Sequence, residues 1–129
     1  MLGMKTYTRA YVGARRARVE SDLAAFKTLK ANERFEVSYF NNMVLLLDYF
    51  FVHRLRGLEG KDGNALNEVR MLCNSMLENE GILMADKSIK LSPEKSILKY
   101  RPGDAIKVRR EDFEKLSKAF FTEIERRYL

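Results

Sequence analysis

At 129 residues, with 46% apolar and 33% charged side chains, the chain has the size and composition of one cooperatively folding domain and is too apolar to be disordered. Its single cysteine, Cys73, and single histidine, His53, exclude an internal disulfide and a Cys/His zinc site within one chain, and the absence of Trp excludes a Trp-based aromatic cage. The net charge of +6 is concentrated at one end: Lys5, Arg9, Arg15, Arg16 and Arg18 precede the first acid, Glu20, and account for five of the six charges.

The basic N-terminal segment 1–18 also carries Tyr7 and Tyr11 among its cations. Cations attract phosphates and open aromatic rings stack on unpaired bases, so Lys5, Tyr7, Arg9, Tyr11, Arg15, Arg16 and Arg18 form a candidate nucleic-acid or partner-binding set. Five cations neutralise at most about five phosphates, enough for salt-sensitive association but not for sequence selection. Alternatively, Arg15, Arg16 and Arg18 are the solvated face of a first helix, or pair with acids elsewhere in the fold. The acid-free, Arg-rich start shares its composition with organellar targeting peptides, but it lacks Ser and a strong apolar face. The spacing of Leu23, Phe26 and Leu29 predicts a helix over 21–30, and the pattern extends back through Val19 towards Tyr11.

Asn32 is a suitable N-cap for the clearest element, a helix over 33–58. Phe40, Val44, Leu47, Phe51, Leu55 and Leu58 recur at helical steps and form one stripe, with Phe35, Tyr39, Met43, Leu46 and Phe50 beside it. So wide an apolar surface predicts a central helix. Leu45, Tyr49 and Val52 lie opposite the main stripe and are candidates for assembly with a second copy as a homo-oligomer, unless neighbouring helices cover them. The apolar run over 43–52 is broken by Asp48 and is far shorter than the ~20 residues that cross a bilayer, so no membrane partner is expected. With no charged-then-apolar leader in view, the cytoplasm is the expected compartment.

The densest polar constellation follows: His53, Arg54, Arg56, Glu59, Lys61, Asp62, Asn64, Asn67, Glu68 and Arg70. Gly60, Asp62 and Gly63 mark a loop over 59–63, and Asn64 caps the next helix. A glycine-punctuated loop feeding a helix start can turn amide groups towards an anion, which makes His53, Arg56, Lys61 and Asn64 a candidate anion site. The phosphate-loop spacing is absent, because Gly60-Lys61 is followed by Asp62 and position 55 is Leu. A calcium loop opening at Asp62 would need Glu at position 73, which is Cys. His53 is by residue type a candidate for proton transfer, but no Arg lies four to six residues before it, as in one class of helical ribonucleases, and no catalytic pair emerges. The expectation therefore leans away from an enzyme without settling the matter, and no cofactor is implied.

In the third helix Leu66, Val69, Cys73, Met76 and Leu77 are expected to face inward, with an end near Gly81. Cys73 reads as a small buried apolar group, not a nucleophile. The helical period fails over 82–108, where alternating runs at 88–91 and 105–108 flank Ser92-Pro93 and Pro102-Gly103-Asp104 and allow a short β-hairpin; Ser92-Pro93 could equally open one helical turn. A last helix places Phe113, Leu116, Phe120 and Ile124 on one face, with Glu111 and Asp112 near its start and Arg126 and Arg127 near its end, as the helix dipole favours. The expected fold is all-α: one domain over 1–129, about four helices in a compact bundle, with the irregular segment packed across it. The expected function is that of a non-catalytic helical interaction or assembly module. Nucleic-acid association through segment 1–18 is the second reading, and a small-anion binding or enzymatic site near His53, Arg56 and Lys61 the third.

Overall fold

A computed structural model of the chain describes residues 3–129, so the first two residues of the basic segment lie outside the described residues. The fold is mainly helical, with α1 (Arg9–Lys27), α2 (Glu33–Phe50), the single turn α3 (Arg56–Glu59), α4 (Ala65–Glu78) and α5 (Arg110–Tyr128). Asparagine or threonine caps start three of the four long helices: Thr8 accepts from Tyr11 N, Asn32 from Phe35 N, and Asn64 from the amides of Leu66 and Asn67. The longer reading of the first helix is therefore the correct one, and most of the basic segment is the opening of α1.

One continuous core joins these elements. Helix α5 packs against α1, α2, α3 and α4, so the centre of the bundle is α5 as much as α2. Its predicted stripe of Phe113, Leu116, Phe120 and Ile124 is fully buried, as are Phe40, Val44, Leu47 and Phe51 from the main stripe of the second helix. Burial of each such side chain contributes about 1.5 to 3 kcal/mol.

The helix predicted over 33–58 ends at Phe50 instead. Beyond it the amides bond three residues back, Phe51 N to Asp48 O, Val52 N to Tyr49 O and Arg54 N to Phe51 O. The cause is Arg54, whose buried guanidinium folds back onto the Phe51 carbonyl at 3.0 Å and Asp48 Oδ1 at 2.8 Å. Apolar periodicity carries no information about where a cation must be neutralised. The opened backbone pairs in parallel with the N-terminal strand, Met4 N donating to His53 O at 2.7 Å and Leu55 N to Met4 O at 2.8 Å. Gly3 permits this approach, since a Cβ there would stand 2.8 Å from Leu55 Cα. Leu58, expected in the stripe, is instead exposed on α3, and Leu77, expected to face inward, is 71% exposed at the end of α4.

The hairpin allowed between 88–91 and 105–108 does not form. The 105–108 run meets the end of α4: Ile82 and Ala105 make an antiparallel bridge, and Ile106 N donates to Gly81 O. Asn41 then completes that strand-like segment from the side, accepting from Val108 N and donating to Ile106 O, both at 3.0 Å. The 88–91 run lies against the 59–63 loop, where Lys90 N donates to Lys61 O. Ser92-Pro93 opens a helical turn, with Ser96 N bonded to Ser92 O. Among the described residues no helix is long and apolar enough to cross a membrane.

Candidate interaction surface

A groove of about 480 Å³ runs between the N-terminal segment and the end of α2, lined by Met4, Thr6, Tyr7, Thr8, Tyr11, Tyr49, Phe50, Val52 and His53. Tyr49 on the outer face of α2 and the exposed Val52 and His53 beyond its end form one side, and the segment at Met4, docked on the opened backbone, forms the other. Tyr7 N is tied to Tyr128 O at 2.8 Å, and the Tyr11 hydroxyl donates to Phe50 O at 2.5 Å, so both walls are held by hydrogen bonds to the bundle. The floor is aromatic. Tyr7 meets Phe51 edge-on at 5.0 Å, and its buried hydroxyl has no hydrogen-bond partner among the described residues. Burial, only partly offset by the charge of Arg54, raises the pKa of that phenol.

Apolar side chains are left open around this floor. Tyr49 is 70% exposed, and Met4 and Val52 are each 44% exposed. Leu45, the third assembly candidate, is only half-buried and packs partly on the core. Isolated exposed apolar residues are ordinary, but three around one groove form a patch.

The basic set divides. Arg16 pairs with Glu125 of α5 and lies over the Phe121 ring, as the salt-bridge alternative anticipated. Arg15 stands 4.8 Å above the Tyr11 ring and 5.7 Å from Phe50, and Arg18 covers Phe50 at 5.6 Å. Lys5 and Arg9 are exposed beside the lining residues Met4, Thr6 and Thr8. Stretches 4–19 and 49–58, which supply both walls, contain no Asp or Glu at all. Tyr7 is buried, and Tyr11 lies between the stacked Tyr7 ring at 5.7 Å and the Arg15 guanidinium, so neither offers an open face.

The four anion candidates are not brought together. His53 lines the groove, whereas Arg56 and Lys61 both act on Asp86, whose carboxyl is held below its usual range first by Ser88 hydrogen bonds and then by those two charges. Asn64 is spent on the α4 cap and on Glu59 O and Asp62 Oδ1.

Of the remaining members of that polar constellation, Asp62 stays exposed and faces Arg127, whereas Arg54, Glu59, Asn67 and Arg70 turn inward and form a buried ionic knot. Glu59, fully buried, accepts four hydrogen bonds: from Arg54 Nε at 2.9 Å, Asn67 Nδ2 at 2.8 Å, and both Nε and Nη2 of Arg70 at 3.1 and 2.6 Å. With Asp48 on Arg54, two cations meet two anions, and the knot is neutral. Burial pushes the Glu59 carboxyl up, but the Arg70 hydrogen bond and the charges of Arg54 and Arg70 outweigh it and hold the group below its ordinary value. Glu68 behaves oppositely: burial raises its pKa despite bonds from Ile97 N and Leu98 N at 2.8 and 2.9 Å. Burial also pushes the Cys73 thiol up, which keeps it protonated. Among the described residues no group of three or more His, Cys, Asp or Glu is placed to hold a metal ion.

The sequence named every member of the knot as polar but singled out its exposed neighbours. The overlooked signal was an Arg and a Glu five positions apart across a predicted helix end, followed by Arg70 on the next helix. Comparison with protein-family models, curated proteins and solved structures gives no match to this chain.

Proposed function

We propose that this protein is a non-catalytic helical binding module whose working surface is the groove between residues 4–11 and 49–53. The observation that carries the reading is the 70% exposure of Tyr49, beside the open Met4 and Val52, in walls that contain no carboxylate. Tyr is favoured at binding surfaces because it supplies large contact with few rotatable bonds, and Met because its flexible, polarizable side chain adapts to the partner. The ionic knot serves the surface indirectly: with α2 ending at Phe50, the backbone beyond it leaves an edge on which Met4 docks, opposite Tyr49 on the outer face of the helix.

Binding of the anionic aromatic dye ANS tests the groove without assuming its natural occupant. A fluorescence rise with wild type that is abolished in Tyr49→Arg, with unchanged near-ultraviolet circular dichroism in both, is the expected result. Equal dye binding by both proteins would remove the groove from the account.

Self-association is the second reading, favoured by the openness of Tyr49 and Val52. It requires a sedimentation mass above that of one chain, reduced by Tyr49→Arg. A single-chain mass at high concentration counts against it.

A further inference from the structure

We infer that the occupant of the groove is an acidic amphipathic segment, a helix with carboxylates flanking one row of large apolar anchors, supplied by another protein. This rests on the groove being the binding surface. Charge and shape carry it one step further.

Among the described residues the cations Lys5, Arg9, Arg15 and Arg18 make no ion pair, the nearest acids along α1 being Glu20 and Asp22. Lys5, Arg9, Arg15 and Arg18 surround walls without a single Asp or Glu, and among the described residues only Arg16 of the basic set reaches a carboxylate. A second copy docked across a two-fold axis would set this face against itself, cation to cation, with no carboxylate between. An anionic partner gains attraction from all four cations, and the guanidinium groups of two of them, Arg15 and Arg18, are already held over Tyr11 and Phe50.

Two anionic classes have apolar parts that could enter: single-stranded nucleic acid and acidic peptide. Nucleic acid needs successive open ring faces on which bases stack. The groove denies them, because Tyr7 is buried, Tyr11 is sandwiched, and Phe50 lies beneath Arg15 and Arg18. Among the tyrosine and phenylalanine rings of the lining only Tyr49 has most of its surface in solvent; beside it the exposed His53 adds one imidazole at the groove's end, and the other open neighbours, Met4 and Val52, are apolar side chains without rings. An aliphatic and aromatic slot with cations along its rim matches a helix that presents Leu or Phe every third or fourth residue with Glu and Asp on either side.

The probe is a fluorescein-labelled helical peptide with Leu and Phe on one face and Glu elsewhere, titrated by polarisation against the intact chain. Polyglutamate and a single-stranded oligonucleotide are run in parallel, with sedimentation at the same concentration. The expected result is binding of the amphipathic peptide that is about tenfold weaker in Tyr49→Ala. Binding should also weaken in Arg18→Glu, and between about 0.05 and about 0.3 M salt. Equal binding of polyglutamate would overturn the inference, because the apolar slot would then contribute nothing. Tighter, Tyr49-dependent binding of the oligonucleotide, or self-association through Tyr49 with no peptide bound, would overturn the acidic partner but leave the groove as the working surface. No ligand and a single-chain mass would overturn both.

Discussion

Glu59 gathers the hydrogen bonds of Arg54, Asn67 and Arg70 in a place from which water is excluded, so its loss would leave two guanidinium groups without their shared anion. Breaking a buried pair by removing one partner costs about 3 to 5 kcal/mol, and Glu59→Ala should lower stability by that amount in urea unfolding. Replacing the whole knot by matched apolar residues should cost far less, since the desolvation it now offsets would vanish too. The pH dependence has a definite sign. Because the folded state depresses the Glu59 pKa, its contribution is fully present above the unfolded value of about 4.3 and disappears as pH falls through the lower folded value. Glu68 is raised on folding, so its ionised form penalises the fold at neutral pH and the penalty is relieved on acidification. Midpoints measured from neutral to acid pH should therefore fall less steeply in Glu59→Gln than in wild type, and more steeply in Glu68→Gln. At this scale the sequence showed which residues are polar and not which way they face. His53, Arg56 and Lys61 share a stretch with Arg54 and Glu59, and only the backbone break after Phe50 sorts the exposed from the buried.

Phe51 is where the second helix gives way and where four aromatic partners meet, Tyr7, Tyr11, Phe120 and Phe121. Phe51→Ala should cost about 3 to 5 kcal/mol and loosen the N-terminal strand with it. Leu77→Gln, at the exposed end of α4, should change stability by less than about 0.5 kcal/mol, the opposite of what its place in the apolar period suggests. Gly63→Ala tests the irregular segment: with φ at 88° and a Cβ that would stand 2.2 Å from Lys90 O, the substitution must push the 88–91 run off the loop. A thermal midpoint equal to wild type would contradict that packing. The long amphipathic helices and the Asn32 and Asn64 caps were legible because period and cap chemistry are local. The pairing of 105–108 was not, because Asn41 acts on groups that only the fold brings near, and the end of α2 was not, because apolar period does not register the contacts Arg54 makes with Phe51 O and Asp48.

Across the whole molecule, the concentration of charge in residues 1–18 was legible by counting, whereas its meeting with the open apolar side chains of residues 49–52 depends on the strand at Met4. The parts of the surface thus came from two separate sequence features, a basic start and a surplus stripe. Amide chemical-shift mapping of the 15.1 kDa chain during titration with the acidic amphipathic peptide tests that union most directly. The account predicts saturable shifts confined to residues 4–18 and 49–53, absent in Tyr49→Arg. Shifts centred on α4 and the 82–108 segment, or spread evenly over every exposed cation, would contradict it.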